Sequence, residues 1–276
     1  MRRIRTVSVF PTLLTLGNLI CGFFAIVVAA RVGKPIADSL NMKLPEDAEA
    51  VMLSGALIFL AMIFDGLDGY VARLARTSSD FGAQLDSLCD VVSFGVAPGF
   101  LLVKMCPRFT LGHNQTVWII AAAFAACAAL RLARFNVETT DDDEHLYFSG
   151  LPSPAAAAVI AGSAIMFHTL RQGEPLDPAS WKGWIDSCLQ GVLPPFAALV
   201  ALLMVSRIRY PHVTNRVLRG QRSFGHVVAV VFFIVAIMLF FGYALAIVAS
   251  AFALYGPIHL AWQLWVQHRR RDEPLF

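Results

Sequence analysis

Four aspartates, Asp65, Asp68, Asp86 and Asp90, stand at or near the ends of two adjacent apolar runs. A carboxylate at the centre of a membrane helix costs roughly 2.5–3.5 kcal/mol on insertion scales, so residues of this kind are usually retained for function. Asp65 and Asp68 are spaced i,i+3 and Asp86 and Asp90 i,i+4, which sets each pair on one face of a helix. A helical hairpin would turn the two pairs toward each other. Four carboxylates converging at low dielectric cannot all stay ionised without a counter-charge, and the cations nearest in sequence are Arg73 and Arg76. Buried ion pairs alone fail on stoichiometry, whereas a divalent metal site resolves the excess. All-oxygen ligands select hard ions such as Mg²⁺, Mn²⁺ or Ca²⁺ over zinc, and two ions about 3.5–4 Å apart suit phosphoryl transfer.

The elements that carry these residues must be membrane helices. Of 276 residues, 57% are hydrophobic and only 15% charged, and the mean hydropathy is +0.64, too apolar for a water-soluble domain. The formal net charge of +3 is small and the basic residues cluster at the ends of apolar runs, so no nucleic-acid partner is expected. The five cysteines form no CxxC or Cys/His spacing, and Cys21, Cys89 and Cys127 lie inside apolar runs as small hydrophobes. Met1-Arg-Arg-Ile-Arg followed by an apolar run resembles a signal peptide, but the run continues to about Ala30 and reads as a first span.

With about 20 apolar residues needed per crossing, eight spans are predicted near 8–30, 50–73, 84–104, 115–134, 153–170, 189–206, 225–241 and 243–266. Seven is the alternative if the last two, separated only around Gly242-Tyr243, form a re-entrant or tilted pair. The expected fold is all-α: a polytopic transmembrane bundle in one domain over 1–276, with core spans over 8–206 and extra C-terminal spans over 225–266. A cytoplasmic N-terminus puts fifteen of the 22 Lys and Arg inside, among them Arg2, Arg3, Arg5, Arg207, Arg209 and Arg269 to Arg271. The positive-inside rule then sets both termini in the cytoplasm of a cell (inner) membrane, with an even number of spans. The run Asp141-Asp-Asp-Glu144 is expected in a solvated inside loop, with cation or substrate-amine binding as the alternative.

The full string is Asp65-Gly-Leu-Asp68-Gly69-Tyr-Val-Ala72-Arg73, eight residues, then Gly82-x3-Asp86-x3-Asp90. It fits D-x2-D-G-x2-A-R-x8-G-x3-D-x3-D without departure, and in this the chain resembles the CDP-alcohol phosphatidyltransferase family. The resemblance implies that Asp65, Asp68 and Asp86 hold divalent metal, Mg²⁺ or Mn²⁺ and two ions. It also implies that Asp90 completes the site and acts as base toward an acceptor hydroxyl, with Asp86 and Asp90 at the catalytic centre. The cytidine diphosphate of a CDP-linked lipid would lie over Gly69, Ala72 and Arg73. Physical reasons accompany the pattern: Gly69, Ala72 and Gly82 remove bulk where helices and nucleotide approach, and Arg73 offers a planar fork to diphosphate oxygens. Members of the family are often dimeric, so a homodimer is the protein partner expected, alongside the lipid bilayer itself.

The acceptor rests on a narrower resemblance. Asp90 continues into Val-Val-Ser93-Phe94-Gly95-Val-Ala97-Pro98, similar to the phosphatidylserine synthase branch of the family. Thr15-Leu-Gly17-Asn18-Leu-Ile-Cys-Gly22, Arg131-Leu-Ala-Arg134-Phe-Asn136, Gly150-Leu-Pro152-Ser-Pro154 and Arg209-Tyr-Pro211 match the same branch. The implied substrates are CDP-diacylglycerol and L-serine. Arg131 and Arg134 share a helix face and suit a serine carboxylate; topology anchoring is the other reading of both. Ser93 lies three residues past Asp90 on the expected carboxylate face and is a third candidate for the serine pocket. Asn18 and Thr15, also i,i+3, face a common cavity, and Asn18 is assigned to the CDP end of the donor, with interhelical hydrogen bonding as the alternative. Other acceptors within the family (glycerol 3-phosphate, inositol phosphate), an archaeal CDP-lipid donor and a cation-coupled transporter are the rivals. A transporter predicts inverted repeats and broken helices, and the sequence has neither.

Overall fold

The computed structural model describes residues 9–32, 44–75, 80–106, 115–138, 147–172, 180–211 and 241–271. With no water in the bilayer core, an apolar run must satisfy its backbone internally, and each apolar run among the described residues folds as a helix. The helices are α1 (Val9–Ala30), α2 (Leu44–Ala75), α3 (Asp80–Asp90), α4 (Ala97–Met105), α5 (Thr116–Glu138), α6 (Ser153–Arg171), α7 (Trp181–Val205) and α8 (Phe241–Arg271). Seven helical stretches among the described residues are long and apolar enough to cross a membrane, α3 and α4 counting as one through a π-helical turn at Val91–Val96. At 22 residues, α1 is about 33 Å long, enough for the hydrocarbon core. The span expected at 225–241 and the acidic run at 141–144 lie outside the described residues.

Helix α6 is the most enclosed element and packs against α2 on one side and α8 on the other. Its Ala156, Ala157, Ala161 and Ala164 are fully buried, small side chains that let the backbones come close where apolar lipid offers no hydrophobic drive to pair helices. Helix α1 packs along α2, and α5 along α7. At the bundle end remote from the aspartates, Lys104 Nζ donates to the Val32 carbonyl at 3.1 Å, satisfying the exit of α1. At that end too, Arg171 of α6 grips Asp186 of α7 through two bonds, Nε to Oδ1 at 2.9 Å and Nη2 to Oδ2 at 3.2 Å. Gln190 adds a third bond to the same carboxylate at 2.7 Å.

This clasp corrects one expected boundary. The last core span was expected from 189, with 172–187 as a polar outside stretch, yet α7 begins at Trp181, capped by Ser180 Oγ accepting from Gly183 N–H at 3.1 Å. Asp186 lowers the local hydropathy, but in the fold Arg171 neutralises it.

One non-helical feature joins the bundle at the aspartate end. Strands β1 (Tyr147–Ser149) and β2 (Arg209–Pro211) pair antiparallel with Phe148 opposite Tyr210. The ladder continues as Gly150 N–H to Ile208 O at 2.9 Å and Leu151 N–H to Leu203 O at 3.0 Å, tying the entrance of α6 to the exit of α7. Gly150 sits at φ +83°, a left-handed backbone, and a Cβ there would lie 3.0 Å from the Ser206 carbonyl, so no side chain is tolerated. Tyr210 is fully buried and donates its hydroxyl to Ala253 O of α8 at 2.9 Å. Burial pushes its phenol up to about 12, which keeps the donated proton in place.

Candidate active site

Helices α2 and α3 bring Asp65, Asp86 and Asp90 together: one carboxylate oxygen from each lies within 4.8 Å of the others. Asp68, one turn further along α2, is buried beside this trio and close enough for its charge to bear on Asp86. It accepts a hydrogen bond from the hydroxyl of Thr15 on α1. Three residues on, Asn18 Nδ2 donates to Asp90 Oδ1 at 2.9 Å. One face of α1 therefore carries a donor for each of the two buried aspartates, while Asp65 and Asp86 remain partly open.

The approach of α1 depends on Gly22. Ser93 is fully buried against it, and a Cβ at Gly22 would stand 2.7 Å from Ser93 Cα. Ser93 Oγ donates to the main-chain carbonyl of Asn18 at 3.0 Å. The residues after Asp90 do not continue the α-helix that the 84–104 span implies. They form the π-helical turn, whose i→i+5 bonding widens the coil, and Asp90 and Ser93 both still meet α1 at Asn18, one at its side-chain amide and the other at its main-chain carbonyl. Ser93 turns to the α1 backbone, and its proton is committed there.

Arg131 on α5 is half-buried, and its charge bears on Asp90. Its Nη1 donates to Ser153 Oγ at the start of α6 at 2.6 Å, while its buried Nε has no partner among the described residues. Arg134, one turn on, is also half-buried. Asn136 Nδ2 donates to Ser87 Oγ at 2.8 Å, fastening the end of α5 to α3. Gly69 lies half-buried one residue past Asp68. Ala72 and Arg73 fall on the last turn of α2, and their side chains lie outside the described residues. Ser153 and Ser87 were not anticipated. Pro152-Ser153-Pro154 reads as a helix start, and the usable signal was a hydroxyl held at that start opposite a membrane arginine.

The donor set fits a hard divalent cation. Among the described residues, three carboxylates within 4.8 Å concentrate more negative charge than Arg131, acting on Asp90, offsets, and their ligand atoms are all oxygen.

Comparison with known proteins agrees with the geometry. The family model for CDP-alcohol phosphatidyltransferase matches residues 8–202, from α1 through most of α7. The chain is 36% identical over 217 residues to a CDP-diacylglycerol–serine O-phosphatidyltransferase of Methanocaldococcus jannaschii, covering 79% of each chain. It is 30% identical over 211 residues to the Helicobacter pylori protein of the same name, covering 76% of this chain and 74% of that one. A Saccharomyces cerevisiae protein of that name is 37% identical over 170 residues, 58% of this chain and 54% of its own length. With the aspartate string converging between α2 and α3 and most of the bundle within the matched region, this chain belongs to the CDP-alcohol phosphatidyltransferase family.

Proposed function

We propose that the protein transfers the phosphatidyl group of CDP-diacylglycerol to L-serine, yielding phosphatidylserine and CMP. The observation that carries the reading is the convergence of Asp65, Asp86 and Asp90 on the family's string, in a chain whose relatives bear that activity in their names. Asp90 accepts the proton of the serine hydroxyl as the oxygen attacks the phosphorus bonded to diacylglycerol. The bond from that phosphorus to the CMP oxygen breaks, and CMP leaves with the electron pair. Asp65, Asp68, Asp86 and Asp90 would hold two divalent ions, Mg²⁺ or Mn²⁺, whose chemistry when bound is to neutralise the diphosphate. Arg73, with Gly69 and Ala72 leaving room beside it, binds the donor's diphosphate, its fork matching two oxygens at once.

Arg131 receives the serine carboxylate. Its Nε supports this, because a buried guanidinium with a donor that no described residue uses is poised for an anion. Arg134, one turn away, borders the same end of α5, and Ser93 enters through its hold on Asn18. In this reading the aspartate end faces the cytoplasm of the cell membrane, where serine and CMP are soluble and the lipid arrives laterally. The distribution of arginines supports that orientation with both termini inside, and a homodimer is the assembly in the membrane. Measuring CMP release by the purified protein with serine, glycerol 3-phosphate and inositol phosphate as acceptors tests the assignment. Release with serine alone supports it, and release only with another acceptor replaces serine within the same family.

A further inference from the structure

From the α1–α3 contact we infer that Asn18 is a positioning residue for Asp90, fixing the rotamer of that carboxylate. The inference rests on the reading of Asp90 as the proton acceptor, but not on serine as the acceptor alcohol. Asn18 is fully buried, and its amide is oriented by the carboxylate: only Nδ2 can donate, so Nδ2 faces Asp90 Oδ1 at 2.9 Å. The consequence falls on the other atom. Asn18 Oδ1 is buried with no partner among the described residues, an arrangement that native structures rarely keep without a reason. An asparagine present only to join helices would use both ends of its amide.

The support behind Asn18 points the same way. Ser93 Oγ holds the Asn18 main-chain carbonyl at 3.0 Å, and Ser93 belongs to the π-helical turn that begins one residue after Asp90. Asp90 and the residue that orients it are thus joined twice, through the side-chain amide and through the Ser93 hydroxyl. With Oδ1 of Asp90 occupied by the amide, the other oxygen presents to the reacting hydroxyl in one orientation. Proton transfer is sensitive to that orientation, and a displacement on the order of 1 Å costs about a hundredfold in rate.

The experiment compares the parent with Asn18→Ala and Asn18→Ser as full-length proteins in detergent with saturating Mn²⁺. It records kcat, the Michaelis constants of both substrates, binding of CDP-diacylglycerol without acceptor, and thermal unfolding. The expected result is a fall in kcat of about 10- to 100-fold for Asn18→Ala, with both Michaelis constants and donor binding within about threefold of the parent. Asn18→Ser, which keeps a donor on a shorter side chain, should recover part of the loss. Unchanged kcat overturns the inference, and so does a loss of donor binding as large as the loss of kcat, which would put Asn18 on the nucleotide. If Asn18→Ala does not fold, Asn18→Ser and Asn18→Thr are read by the same split, and an equal loss in kcat and donor binding again overturns it. A parent inactive with every acceptor would instead refute the proposed function.

Discussion

Arg131 and Ser153 join the end of α5 to the start of α6 through a 2.6 Å hydrogen bond, beside the carboxylate of Asp90. The bond uses one corner of the guanidinium and leaves Nε, on another corner, without a partner among the described residues. An anion arriving there would complete the fork and neutralise a charge that is costly to bury.

Acceptor recognition is therefore predicted to separate from donor recognition at Arg131. Arg131→Gln should raise the Michaelis constant for serine by roughly 10- to 150-fold, the equivalent of about 1.5–3 kcal/mol for a lost charge-assisted hydrogen bond. That for CDP-diacylglycerol should move little. Serinol, which lacks the carboxylate, should be a poor acceptor for the parent and should be penalised much less by the substitution. Equal losses for serine and serinol would make Arg131 a structural tie to Ser153.

Donor recognition is predicted to depend on the shape of Arg73 as well as its charge. Arg73→Lys keeps the charge but loses the planar fork, and should raise the Michaelis constant for CDP-diacylglycerol by about tenfold or more. An unchanged constant would remove Arg73 from the diphosphate site.

The aspartate trio should behave as one unit. Asp65→Asn, Asp86→Asn and Asp90→Asn each remove a charge from a cluster whose oxygens lie within 4.8 Å, and each should lower turnover by at least about a hundredfold. Mn²⁺ binding, followed by the loss of the free-ion electron paramagnetic resonance signal, should weaken in parallel. Normal Mn²⁺ binding in all three variants would contradict the metal assignment.

How far the sequence could be read depended on whether a signal was local. The four aspartates were legible because a charge in an apolar run is conspicuous, and their helical spacing was enough to foresee that Asp65 would meet Asp86 and Asp90. The spans were legible for the same reason, since a bilayer leaves an apolar run little choice but a helix. The start of α7 was missed because Asp186 counts as polar until Arg171, fifteen residues earlier, is known to face it. The π-helical turn at Val91–Val96 carries no residue pattern that separates it from an α-helix, so its wider coil was not foreseen, although Ser93 and Asp90 both meet Asn18. Tyr210 reaches α8 from the β1–β2 ladder, a long-range pairing of segments that look like polar loops, and Ser153 meets Arg131 across a gap of 22 residues.

Stability and catalysis should come apart at the far end of the bundle. Asp186→Asn breaks a half-buried, two-bond pair with Arg171, and should cost roughly 1–3 kcal/mol, seen as a lower unfolding temperature in detergent. Turnover per folded molecule at low temperature should stay at the parent level, because the pair lies at the opposite membrane face from the aspartates. A selective loss of turnover without loss of stability would tie this clasp to the reaction.

The account's central claim is tested most directly by incorporation of radiolabelled serine into lipid by the purified protein. The account predicts labelled phosphatidylserine and an equal amount of CMP only when CDP-diacylglycerol and Mg²⁺ or Mn²⁺ are both present, with incorporation abolished by EDTA and restored by the ion. Full incorporation in EDTA, or none under any condition while another alcohol releases CMP, would contradict it.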